Sequence, residues 1–166
     1  MEWFALYTKP RSEKKLASIF EEKQVSFYLP TYTALRQWSD RKKKVIEPLI
    51  KRIIFIQSEI EEINNFYKYP LVAGIIKEFG KPAIIKPHEI ETLKIITREW
   101  DGETIKSGSD ITFKPGDQVA ITRGPFTGLE GTLSEEAGKH RLVIKLESLN
   151  VEFTVNIPKS QTKKIK

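Results

Sequence analysis

Residues 116–131, GDQVAITRGPFTGLEG, restrict the possible folds of this chain more than any other stretch. Val119 and Ile121 alternate with polar neighbours, as in a half-buried strand. A loop then sets Gly124, Gly128 and Gly131 around Pro125 and Phe126. A rigid proline and a large aromatic at a hairpin tip need neighbours that accept positive φ, which glycine does without a Cβ clash. Further on, Leu142, Ile144 and Leu146 alternate, as do Val151, Phe153, Val155 and Ile157, with turns expected at 135–139 and 148–150. An open sheet this small would leave exposed edges and too little core, so the last third is expected to close into a small barrel.

The first hundred residues read differently. Ser12 is a plausible N-cap and Glu13 sits in the first turn of a helix whose Leu16, Ala17, Ile19 and Phe20 share a face. Val25, Phe27 and Leu29 alternate up to Pro30. A basic, turn-like segment follows at 36–44 (RQWSDRKKK), then the continuous apolar run Ile53, Ile54, Phe55 and Ile56, which predicts a central strand covered on both faces. Ile60, Ile63 and Tyr67 are spaced for a short amphipathic helix, Ala83 to Ile85 for a brief strand. Pro87 opens another helix with Ile90, Leu93, Ile96, Thr97 and Trp100 turned inward. Strands crossed by helices predict an α+β layer, an antiparallel sheet with packed helices. Residues 101–110 (DGETIKSGSD) are polar and carry two glycines, which reads as an interdomain linker. The expected organisation is a domain over 1–100, a linker over 101–112 and a second domain over 113–166.

Charge indicates a class of partner. The chain carries a net +6, but residues 9–52 alone hold 12 Lys/Arg against 5 Asp/Glu. A field concentrated in this way favours a polyanion, and nucleic acid is the expected one. The absence of cysteine excludes disulfides, thiolate metal sites and a cysteine nucleophile. No apolar run reads as a signal peptide or a membrane span, so a soluble, cytoplasmic monomer without membrane association is expected. Catalysis has little support. His88 and His140 fall in different expected domains, neither has a spaced set of metal-ligating partners, and the glycines at 124–131 lie between strands rather than opening a helix. No enzyme activity, metal or cofactor is expected.

Two stretches in the right order carry a family resemblance. WFALYTKPRSEKK at 3–15 resembles the first strand and helix of NusG proteins, and LRQWSDRKKKVIEPLI at 35–50 resembles their basic hairpin. VAGIIKEFGK at 72–81 is similar to a family segment ending in Phe-Gly. Residues 113–131, with Arg141 and Leu142, resemble the KOW motif. The resemblance implies an N-terminal NGN domain followed by a small, all-β, SH3-like KOW barrel, in a transcription elongation, termination or antitermination factor. One departure stands out. After Glu47, Pro48 and Leu49, members usually carry an aromatic and then Pro-Gly-Tyr, whereas this chain has Ile50, Lys51, Arg52 and Ile53. That resembles a specialised paralogue of the RfaH type or of the antiterminators of polysaccharide operons.

The resemblance also implies partners and residues. RNA polymerase would dock on an apolar patch at Tyr7, Ile50, Ile53 and Phe55, although adjacent strands could instead bury these residues as core. A second contact, with the opposite pincer of the polymerase cleft, maps to Asn64 and Asn65 beside Phe66; some relatives carry hydroxyl residues there. Arg36, Trp38, Arg41, Lys42, Lys43 and Lys44 would lie beside non-template DNA, with Lys9, Arg11, Lys14 and Lys15 extending that surface; nascent RNA is a further polyanion within reach of this chemistry. Gly124, Pro125, Phe126 and Gly128 form the loop expected to meet a KOW partner such as Rho, a ribosomal protein or RNA, unless Phe126 folds back as a lid on the barrel. The rival class is a free-standing RNA-binding KOW module that acts without polymerase.

Overall fold

A computed structural model describes residues 1–100, 105–108, 116–136 and 139–165, and its chain divides into two compact units, Met1–Ile90 and Glu91–Lys166. In the first, β1 (Glu2–Thr8) runs antiparallel to β5 (Ile53–Ser58), and β5 also pairs with the short β2 (Phe27–Tyr28). The other side of β1 is shared by β9 (Ile84–Ile85), opposite Trp3 and Phe4, and β6 (Val72–Ile75), opposite Leu6 to Thr8. Two hairpins stand outside this sheet: β3 (Thr31–Gln37) with β4 (Lys42–Pro48), and β7 (Lys77–Glu78) with β8 (Lys81–Pro82).

The alternation of β1 and β5 builds the core. Phe4, Leu6, Ile54 and Ile56 form a buried cluster with Leu16 and Phe20 of α1 (Glu13–Glu22) and with Ile63, Val72 and Ile75. Phe20 is its hub. Its ring meets Tyr69 at 5.1 Å and Phe66 at 5.8 Å, both edge-on, and Phe27 at 6.0 Å. This clamps the 3₁₀ segment Ile63–Lys68, with Ile63 buried and Phe66 partly buried. Of the expected helical stripe only Ile63 is buried: Ile60 is exposed, and Phe66 turns inward where Tyr67, 49% exposed, was expected to. The predicted central strand is present, with Ile53 to Ile56 all buried. α2 (Pro87–Arg98) buries Ile90, Leu93 and Ile96 on one face. Its N-terminus carries half of a capping box, in which buried Glu89 accepts the Lys86 backbone N–H at 3.1 Å.

The second unit is a six-stranded antiparallel sheet of the small KOW-barrel type, in the order β10 (Ile105–Gly108), β14 (Val151–Asn156), β13 (Lys139–Leu146), β12 (Glu130–Glu136), β11 (Gln118–Ile121), β15 (Thr162–Lys164). The alternating residues predicted to face inward do so: Val119, Ile121, Leu142, Ile144, Leu146, Phe153, Val155 and Ile157 are buried. β12 was not expected, because Leu133 is its lone large apolar residue. β10 corrects the reading of 101–112 as linker throughout, since 105–108 pair with β14 at the edge of the sheet, where polar residues and glycine are tolerated. The rest of that stretch, 101–104 and 109–112, lies outside the described residues, as do 113–115 and residues 137–138 of the turn expected at 135–139. Among the described residues no helix is long and apolar enough to cross a membrane.

Candidate functional site

Three of the four residues expected to form an apolar docking patch, Tyr7, Ile53 and Phe55, are brought together on one face of the β1–β5 pair, while Ile50 lies in the turn before β5. Tyr7 lies opposite Ile53, and Ala5 opposite Phe55, so all four share the face turned away from the α1 cluster. Phe55 stacks on Tyr28 with ring centroids 6.2 Å apart. Their exposure corrects the expectation of a broad surface patch. Phe55, Ile53 and Ile50 are buried, while Tyr7 is 45% exposed. Tyr7 differs because its partner on the other strand, β6, is Gly74, which adds no side chain over the ring; a Cβ built there would still lie 3.9 Å from Tyr7 Cδ2. The β1–β6 register shifts between Tyr7 and Thr8, a bulge of the kind that re-aims side chains at functional sheet edges.

The turn that leads into β5 carries the departure from the family pattern. Arg52 has φ 64°, the left-handed region in which the family pattern has glycine. Its N–H donates to Glu13 Oε1 at 2.6 Å, and its Nε donates to the Thr8 carbonyl at 3.3 Å. Glu13, expected only as a first-turn acid, is a buried carboxylate that ties α1 to β5.

Asn64 and Asn65 are exposed on the 3₁₀ segment, held there by Phe66 and Ile63 beneath them. The basic segment is a true hairpin, with Trp38 and Arg41 closing β3 and β4 through the Trp38 N–H to the Arg41 carbonyl at 2.8 Å. Its register splits the basic residues. Lys42 and Lys44 share a face with Gln37, Leu35, Thr33 and Ile46, and Leu35 and Ile46 are exposed large apolar residues there. Lys43 and Arg36 lie on the opposite face with Val45, Ala34, Tyr32 and Glu47. Trp38 is 53% exposed, and Lys43 Nζ sits 5.6 Å from its ring centroid, within cation–π range.

Arg36, unlike the lysines of the hairpin, is paired within it. Its guanidinium grips Glu47 in a fork, Nε to Oε1 at 2.9 Å and Nη2 to Oε2 at 2.6 Å, so its charge is already matched within the hairpin. The Tyr32 hydroxyl donates to the same carboxylate at 3.1 Å. Arg36 holds the Glu47 carboxyl below its ordinary value, chiefly by hydrogen bonding. Burial, and then Glu47, push the Tyr32 phenol up. Arg41, Lys42, Lys43 and Lys44 are exposed, as are Lys9, Arg11, Lys14 and Lys15, with Lys14 Nζ donating to the Ile46 carbonyl at 3.0 Å.

In the second unit the expected partner loop divides. Gly124, Pro125 and Gly128 are exposed, but Phe126 is 6% exposed and acts as a lid, which overturns its reading as an accessible aromatic tip. Gly124 and Gly128 have φ 87° and 97°, as the loop requires. Thr127 Oγ1 donates to the Gly124 carbonyl at 2.6 Å, and the Gly128 N–H donates to the Ile121 carbonyl at 3.0 Å. Gly131 belongs to β12 rather than to the loop. It is glycine because a Cβ would collide with the Val143 carbonyl oxygen on β13. Among the described residues no group of three or more His, Asp or Glu is placed to hold a metal ion.

Comparison with known proteins gives one consistent answer. The family model for transcription termination factor nusG matches residues 1–94. The NusG transcription termination/antitermination protein of Thermus thermophilus is 25% identical over 88% of this chain and 90% of its own length. Transcription elongation factor Spt5 of Saccharolobus solfataricus is 28% identical over 72% of this chain and 70% of its own. Among solved structures, NusG of Thermotoga maritima superposes with a TM-score of 0.51 at 22% identity, covering 99% of this chain and 97% of that one; this likeness speaks for the fold.

Proposed function

The chain belongs to the NusG family, whose model spans 94 of its 166 residues, and from that premise we propose that it acts on transcribing RNA polymerase as an elongation, termination or antitermination factor. It works by binding, not by catalysis. The N-terminal domain, 1–100, docks on the polymerase through the Tyr7 face. Tyr7 is the accessible aromatic of the patch, with Ile53 and Phe55 buried beside it on the same face. An exposed aromatic bordered by fixed, buried neighbours is the arrangement of an interface hot spot, since the anchor loses little freedom on binding. Asn64 and Asn65 offer a polar second contact. Two contacts on opposite sides of the polymerase cleft would favour its closed state through differential binding.

The β3–β4 hairpin supplies the nucleic-acid contact. Arg41, Lys42, Lys43 and Lys44 remain available for phosphates of non-template DNA or nascent RNA, and Trp38 for stacking. The C-terminal barrel, through Gly124, Pro125 and Gly128 and without Phe126 as a direct contact, recruits a further partner such as Rho or a ribosomal protein. The protein acts as a monomer in the cytoplasm.

The observation that carries this proposal is the exposed Tyr7 ring, opposite Ile53 on one neighbouring strand and Gly74 on the other, at a strand irregularity. Single-round transcription across a pause and a terminator, with purified polymerase, tests it. Added protein should change pause duration or read-through, and Tyr7→Ala should abolish most of that change while melting like the wild type. Tyr7 is the position to vary because Ile53 is buried and its replacement would disturb the fold. Salt-sensitive binding to RNA alone with no effect on elongation would favour the free-standing RNA-binding module instead.

A further inference from the structure

Phe79 is 98% exposed, the most exposed of the large hydrophobic residues described. It occupies the tip of the β7–β8 hairpin with φ 49°, followed by Gly80 at φ 80°. Two consecutive residues of positive φ make the two-residue hairpin turn that favours Asn-Gly or Gly-Gly. A bulky aromatic in the left-handed region is a genuine outlier, with a backbone cost of about 1 kcal/mol or more. Phe79 also leaves an apolar ring in water without burying it. At 98% exposure the ring gains no packing from the described residues to offset either cost. Strain held at an exposed tip without a folding benefit is characteristic of a contact site.

The neighbours decide which partner fits. A protein-docking knob sits within an apolar patch that its partner can seal from water. The residues around Phe79 are Lys77, Glu78, Gly80 and Lys81, all exposed. Lys77 lies opposite Pro82 and Lys81 opposite Glu78, so the two lysines are on opposite faces of the hairpin. A lone ring with one cation on each side matches a chain draped across the tip, with a flat base on the ring and a phosphate to either side. A duplex keeps its bases stacked and offers the ring no face.

We propose that the β7–β8 tip is a contact for single-stranded nucleic acid, in which an unstacked base lies on Phe79 and Lys77 and Lys81 meet the flanking phosphates. This contact is separate from the β3–β4 hairpin and does not depend on polymerase docking. Its test uses the free full-length chain and a fluorescent single-stranded oligothymidylate, with the matching duplex alongside, by fluorescence anisotropy at low salt. Phe79→Asn, which suits the left-handed backbone, should melt no lower than the wild type yet weaken single-strand binding about tenfold, while Phe79→Trp retains it. Duplex binding should be unchanged in both variants. The proposal is overturned if the wild type does not bind the single strand, if Phe79→Asn binds it as well as the wild type, or if duplex binding falls equally. Unchanged oligonucleotide binding together with weaker capture of purified polymerase would overturn it in favour of a protein pocket for the ring.

Discussion

Two loops in this molecule each present an aromatic residue among glycines or lysines, and they behave in opposite ways. In the β3–β4 hairpin, Trp38 stands in solvent with Lys43 over its ring. In the loop after β11, Phe126 folds under the chain and seals the barrel. Backbone anchoring makes the difference. The barrel loop is hydrogen-bonded back to β11 and to itself through Gly128, Leu129 and Thr127, which leaves the ring no direction but inward. The hairpin tip closes only on itself, and its strands form a two-stranded sheet of their own. A loop aromatic is therefore a candidate contact when its loop is detached from a core, and a core residue when the loop is laced to one.

That contrast can be broken most sharply by truncating both rings. Phe126→Ala should destabilise the protein by about 3 kcal/mol, as measured by chemical denaturation, because it empties a packed position. Trp38→Ala should shift stability by less than about 0.5 kcal/mol, as for other exposed sites. Similar losses for the two would erase the distinction. Gly131→Ala comes next, at about 2 kcal/mol, since its methyl group meets backbone on β13 that cannot rotate away. The smallest effect concerns the hairpin alone. Glu47 has its carboxyl depressed by Arg36, so the bridge stabilises the hairpin above the ordinary value of 4.5 and loses that contribution as pH falls through the lower folded value. Trp38 fluorescence should report loosening only in that acid range, and Glu47→Gln should remove the pH dependence. An unchanged titration in Glu47→Gln would assign it to another group.

The fold was legible where periodicity was strong. The Ile53 to Ile56 run, the α1 stripe and the alternating strands of the barrel all follow from spacing of apolar residues. β10 and β12 were not legible, because edge and polar strands carry little apolar signal and are fixed by pairing with distant residues. The candidate site was legible in composition but not in exposure. Tyr7 and Ile53 were rightly placed together, yet which of them meets solvent depends on Gly74 across β6. Arg36 looked like its lysine neighbours until the register set Glu47 within its reach. Phe79 carried one visible sign, an aromatic before Gly80 between two short polar strands, a pattern that reads as a turn without showing that its ring is free.

The central claim is that the Tyr7 face holds RNA polymerase. Its most direct measurement is the affinity of the full-length protein for purified polymerase, wild type against Tyr7→Asp, with melting temperatures taken on the same samples. The account predicts equal melting and an affinity at least about tenfold weaker for the variant. Equal affinity at equal stability would contradict it.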